Sequence, residues 1–152
     1  MRQKEFKYKS YCSGYCGACP QFIATKNSTI ESFAAERDIT VDQVICKGCK
    51  SDVRSEWCKI CHLRQCAVER AVDHCGECSD YPCEALSTHI NDPNYPYHSM
   101  VPQQVIEIKE KGFDVWIAEQ HIRWSCAACG APYTWFDSIC LSCSGKTRSW
   151  NE

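Results

Sequence analysis

Eight cysteines fall between positions 46 and 83, a span of 38 residues, and no other feature constrains the fold as strongly. They read Cys46-Lys-Gly-Cys49, Cys58-Lys-Ile-Cys61, Cys66, Cys75-Gly-Glu-Cys78 and Cys83. A Cys-x-x-Cys pair in a tight turn places two sulfurs on one side, where they share an ion with two sulfurs from elsewhere. The stretch therefore reads as metal-bound, with the rest of the chain arranged around it.

Disulfides are the competing use of so much cysteine. The count of 15 is odd and cannot pair completely. The N-terminus, Met-Arg-Gln-Lys-Glu-Phe, opens no apolar run of signal-peptide length, and no window reaches transmembrane length. The expectation is a cytoplasmic chain with reduced thiols and no membrane contact. The apolar fraction of 44% overstates the core because it counts those cysteines, and only three leucines are present. A structural zinc site contributes roughly 10–16 kcal/mol in small peptides, enough to replace a missing core.

The net charge is −2. Residues 1–61 carry ten basic and seven acidic groups, residues 62–100 two and six, the remainder five and six. Thiolate ligation makes the balance more negative still, the opposite of what a general nucleic-acid surface needs.

Pro20 suits a first helical turn with Phe22, Ile23 and Ala24 on its apolar side. Ser28 or Thr29 caps a helix over residues 30–37, and Thr40 caps a short turn over 41–45. A helix over 60–72 buries Ile60, Leu63, Ala67 and Ala71, with His62 and Cys66 one turn apart on the adjacent face. Residues 73–86 read as loop and 89–102 as linker. Helices over 102–112 and 114–124 meet at Gly112. The last segment has Cys126-Ala-Ala-Cys129, ten residues, then Cys140-Leu-Ser-Cys143. Tyr133-Thr-Trp-Phe has strand character and Asp137-Ser138 suits a turn, so two knuckles with a hairpin between them describe a zinc ribbon.

The expected fold is a small metal-stabilised α+β chain. It has an irregular, helix-containing cysteine-rich domain over 1–90, a linker and helical pair over 91–124, and a zinc-ribbon hairpin over 125–152. All fifteen cysteines are candidate ligands. At four sulfurs each they account for about three to four zinc ions. The simplest grouping puts Cys46, Cys49, Cys58 and Cys61 on one ion and Cys66, Cys75, Cys78 and Cys83 on another, though interleaved grouping is equally allowed. The triad Cys12, Cys16 and Cys19 is left over, with His62 or His74 as a candidate fourth ligand. Its Cys-x3-Cys-x2-Cys spacing is also that of radical-SAM clusters. The chain lacks their length and strand–helix alternation, and Ala18 stands where they carry an aromatic. A ferredoxin-type iron–sulfur cluster is the remaining alternative there.

The run from Tyr11-Cys12 to Cys19-Pro20, with Cys46-Lys-Gly-Cys49, Cys66-Ala67, Cys75-Gly-Glu-Cys78 and Tyr81-Pro-Cys83-Glu84, resembles a prokaryotic cysteine-rich domain of unknown function, the DUF3795 type. The resemblance covers roughly residues 10–90 and implies metal binding without an activity. Residues 101–152 resemble a zinc-ribbon tail appended in some members.

Three functional readings follow. The first is a zinc-stabilised adaptor that binds a protein partner through Trp57, Trp124, Trp135, Trp150, Tyr95 and Tyr97, rings of the kind that anchor interfaces. The second is an iron–sulfur or open-site metal redox protein using Cys12, Cys16 and Cys19. The third is nucleic-acid binding through Lys47, Lys50, Arg54, Lys59 and Arg64, which the charge balance disfavours. No residue is assigned a catalytic role.

Overall fold

The computed structural model describes residues 5–152. Short helices follow one another along the chain: α1 (Pro20–Lys26), α2 (Ile30–Glu36), α3 (Val41–Val44), α4 (Glu56–Lys59), α5 (His62–Glu69), α6 (Glu84–Ile90), α7 (Val101–Lys111) and α8 (Phe113–Arg123). Tight 3-10 turns at Cys16–Ala18, Cys75–Glu77 and Pro96–Met100 connect them. Among the described residues the β content is three isolated bridges, Lys9 with Tyr15, Ser125 with Pro132 and Ile139 with Lys146. None of the helices is long and apolar enough to cross a membrane.

Local chemistry accounts for most helix starts. Pro20 occupies the first turn of α1, and α3 begins with a reciprocal box in which the Thr40 amide donates to Gln43 Oε1 at 2.8 Å. Thr29 sits at the start of α2, but its hydroxyl donates to the Ala24 carbonyl at 3.4 Å instead of to the helix. Gly112, at φ 85°, ends α7 and begins α8.

The central helix is shorter than its apolar spacing implies. The helix expected over 60–72 is the shorter α5, and Ile60 and Cys61 fall in the break between it and the separate turn α4. Leu63 and Ala67 are buried as the stripe requires, but Ile60 is 75% exposed, and Ala71 is exposed with a left-handed φ of 54°. The break lets the Cys58–Cys61 turn face the N-terminal arm. Conversely, residues 84–90, which take in the end of the expected loop and the start of the expected linker, form α6. Leu86 is fully buried there, and the Leu86 amide donates to Cys83 Sγ at 3.4 Å.

Three apolar clusters hold these pieces. Ala24, Ile30, Ala34 and Val44 pack the first three helices together. Leu63, Cys75, Leu86, Val101 and Val105 pack the central turns beneath α7. The third cluster draws Tyr15 and Ala18 from the N-terminal turn, Ile108 and Trp116 from α7 and α8, and Trp124, Tyr133 and Trp135 from the C-terminal segment. Two rings assigned above to a binding surface are thus in the core: Trp124 is 3% and Trp135 9% exposed. Trp135 stacks on Tyr97 at 3.9 Å, and Trp150 is packed against the same cluster. A chain this poor in leucine fills its interior with indoles.

The N-terminal arm is threaded into the centre. The Lys7 amide donates to the Lys47 carbonyl at 2.8 Å, and the Cys75 amide to the Tyr11 carbonyl at 2.7 Å. Gly48 makes the first contact possible. Its φ is +109°, and a Cβ there would lie 2.1 Å from the Lys7 carbonyl oxygen. Gly48→Ala is therefore expected to destabilise the fold by at least about 1 kcal/mol and to expose the arm, seen as a lower urea midpoint and faster limited proteolysis.

His89 on α6 stacks on His98 at 3.7 Å. Burial, reinforced by the His98 ring, pushes its pKa down to about 4. An unfolded histidine takes up its proton near 6.5, so the unfolded chain gains protons first as the solution is acidified. Stability is then full above pH 6.5 and falls steadily toward pH 4. Thermal melts across this window should show that decline, and His89→Gln should flatten it.

Candidate metal centres

The C-terminal segment builds one complete site. Cys126, Cys129, Cys140 and Cys143 place their sulfurs within 4.8 Å of one another. The Cys126–Cys143 and Cys129–Cys140 separations are both 3.6 Å. A tetrahedral ion with bonds of about 2.3 Å holds its sulfurs about 3.8 Å apart, so the spacing suits a single ion. Each knuckle closes on itself: the Gly130 amide donates to the Cys126 carbonyl at 2.7 Å and the Ser144 amide to the Cys140 carbonyl at 2.9 Å. Both turns need a left-handed residue, which Gly130 (φ 78°) and Ser144 (φ 63°) supply. Serine thus takes the conformation that glycine takes in the first knuckle.

Between the knuckles the expected hairpin strand does not form. The Thr134 amide donates to Asp137 Oδ2 and the Asp137 amide back to the Thr134 carbonyl, bending the Tyr133–Phe136 stretch into a turn. Tyr133 and Trp135 point into the aromatic core. Burial of these rings overrides the strand propensity of the run.

A second group surrounds a small cavity. Cys66 from α5, Cys75 and Cys78 from the 3-10 turn, and Cys83 at the start of α6 line a space of about 20 Å³. A space of that order accommodates one water-sized body. Hydrogen-bond donors are aimed at two of these sulfurs: the Leu86 amide at Cys83 and the Arg70 guanidinium at Cys78, each at 3.4 Å. Burial, reinforced by the neighbouring thiols of Cys12, Cys83, Cys66 and Cys61, pushes Cys75 up to about 12.

The remaining cysteines interleave. Cys16, from the N-terminal turn, hydrogen-bonds Cys49 of the first central knuckle, and Cys46 hydrogen-bonds Cys58 of the second. Through the Cys58 bond and the Gly48 amide, 3.3 Å from its sulfur, Cys46 is lowered to about 6. Cys49 is lowered by its bond to Cys16 and by the Tyr11 amide at 3.4 Å. Burial raises Cys12 and Cys19 to about 11, with thiol neighbours adding to it. Amides pointed at sulfur favour the thiolate, and crowded buried sulfurs oppose it until a cation joins them. All fifteen cysteines are free thiols.

A cavity of about 590 Å³ opens beside this group, and Cys12, Cys16, Cys19, Cys49, Cys58 and Cys61 line it. The two histidines weighed as ligands lie elsewhere. His62 is exposed on α5. His74 is 1% exposed, its Nδ1 within 2.7 Å of Ser13 Oγ and 3.2 Å of the Gly76 amide. His74 thus ties the N-terminal turn to the Cys75 turn. Sequence reasoning missed this cavity, because its walls come from segments up to 126 residues apart in the chain, from Ser10 to Phe136.

Residues 8–88 match a family model described as a protein of unknown function, DUF3795. The chain belongs to the DUF3795 family. The match takes in eleven of the fifteen cysteines, leaving Cys126, Cys129, Cys140 and Cys143 outside it. No curated protein and no solved structure matches this DUF3795 chain.

The C-terminal site is expected to fail as a unit. Cys140→Ser should remove about one ion per chain by elemental analysis. Because Trp124, Tyr133 and Trp135 pack against α8 in the same cluster, near-ultraviolet circular dichroism should weaken with it.

Proposed function

We propose that this DUF3795 chain is a thiolate-ligated metal-binding protein of a reducing compartment, the cytoplasm, in which bound ions do the work of a larger core. The four sulfurs gathered within 4.8 Å carry the reading. A closed four-sulfur site without carboxylate or water ligands suits zinc, so the C-terminal segment acts as a ribbon-type zinc module despite its bent central run. Its ion is structural: every ligand position is taken by protein, and two of the four cysteines, Cys126 and Cys140, are buried. The Cys66, Cys75, Cys78 and Cys83 cavity suits a second single ion.

Elemental analysis with cobalt substitution tests the assignment. The purified chain should carry zinc, and cobalt replacing it should show the intense absorption of tetrahedral thiolate coordination. Chelation under reducing conditions should abolish cooperative unfolding; a cooperative, metal-free protein would refute the reading.

Protein binding is the second reading, and one observation favours it. Leu141, at the tip of the last knuckle, is 89% exposed, and the neighbouring Ile139 is 58% exposed. Apolar side chains held out on a metal-stiffened turn suit a partner's apolar surface. With Trp124 and Trp135 in the core, Leu141 and Ile139 join Trp57, which is 51% exposed, as apolar side chains open to a partner. Leu141→Asp, still zinc-loaded, should lose captured partners that the unaltered chain retains.

A further inference from the structure

We infer that the cavity lined by Cys12, Cys16, Cys19, Cys49, Cys58 and Cys61 holds an iron–sulfur cluster, a different kind of centre from the C-terminal zinc site. The inference deepens the metal-binding reading above and rests on it.

Three observations separate the two centres. The first is spacing. The C-terminal sulfurs stand 3.6 Å apart in pairs and all within 4.8 Å, as one ion demands. Among the described residues no cavity cysteines form such a group, and neither do Cys66, Cys75, Cys78 and Cys83; the space that each of these two groups surrounds is what tells them apart. The cavity cysteines meet in twos, Cys16 with Cys49 and, just behind the wall, Cys46 with Cys58. Sulfurs spread around a space instead of converging on a point are what a polynuclear cluster requires, since its inorganic sulfides bridge irons that each take an outer thiolate.

The second is volume and number. Six thiols face one cavity of about 590 Å³, whereas the Cys66, Cys75, Cys78 and Cys83 group surrounds about 20 Å³. A single zinc ion uses four ligands and leaves no comparable space. A cluster fills part of the larger cavity and leaves its remainder open beside an iron–sulfide face.

The third is the character of the other walls. Among the described residues the charged side chains on them are Arg37 and Arg64, and no carboxylate lines the cavity. A thiolate-held cluster is anionic and takes hydrogen bonds at its sulfurs. Arg64 Nε is buried without a hydrogen-bond partner and so has a donor to offer. The stacked Tyr97 and Trp135 rings form an apolar wall of the same space.

The test uses the full chain, reduced and reconstituted without oxygen in iron, sulfide and equimolar zinc. The expected product is brown, with iron and acid-labile sulfide in equal amounts alongside zinc. Cys16→Ser and Cys49→Ser should lose iron and sulfide while keeping the C-terminal zinc. Cys140→Ser should do the reverse. A colourless protein without sulfide, whose zinc content drops in Cys49→Ser, would overturn the cluster and leave the metal-binding reading intact. Metal content unchanged by both Cys16→Ser and Cys49→Ser would overturn the metal-binding reading for this centre as well. If those variants fail to fold, the sulfide assay and visible spectrum of the unaltered chain decide the question.

Discussion

Sulfur crowding is the interaction on which the rest of this structure depends. Cys12, Cys19 and Cys75 are pushed to about 11, 11 and 12 chiefly by burial, with neighbouring thiols adding repulsion. In the same region, amides are aimed at Cys46, Cys49 and Cys83 in the manner of donors to thiolate. The two tendencies conflict in a metal-free protein. They are reconciled when a cation joins the sulfurs, because it cancels the repulsion and keeps the ions the donors favour. Backbone amides favour thiolates at Cys46 and Cys49, while burial disfavours them at Cys12, Cys19 and Cys75.

This requirement explains why the chain is woven and not serially modular. The N-terminal turn reaches across to the first central knuckle through Cys16 and Cys49, and the arm before it is fixed by Lys7 on Lys47 and Tyr11 on Cys75. His74 is consumed in the same weave, bonded to Ser13 rather than offered to an ion. The C-terminal segment joins through packing instead: Tyr15 and Ala18 share one cluster with Trp116, Trp124 and Trp135. Ligands and indoles thus divide the work. Cysteine turns and small apolar clusters connect the first 90 residues, and rings together with Val101 and Val105 attach the remainder.

The three cysteine groups differ in how much space they enclose, and this difference carries their chemistry. A site whose sulfurs touch in pairs at 3.6 Å has no vacancy for a reactant. The small cavity beside α5 has room for one body. The larger cavity, walled by thiols, arginines and rings, lies within the volume range of small-molecule sites. It is where a DUF3795 chain of this form has room to do more than hold itself together.

The sequence by itself determined which sulfurs gather in the C-terminal group, because two Cys-x-x-Cys turns fix sulfur pairs locally, whatever lies between them. It also determined the helices around Pro20, Thr40 and Gly112, each set by a residue with a backbone preference. The tertiary structure decided the rest. Ile60 was left exposed outside α5, and the Cys58–Cys61 turn beside it shares a cavity wall with Cys12 and Cys16. Trp124 and Trp135 went inside because a chain with three leucines has little else to bury. The thiol cavity exists only once residues far apart in the chain meet, and no periodicity encodes a space. Spacing along a chain reports what a turn brings together; what two distant turns enclose depends on burial, which is decided collectively.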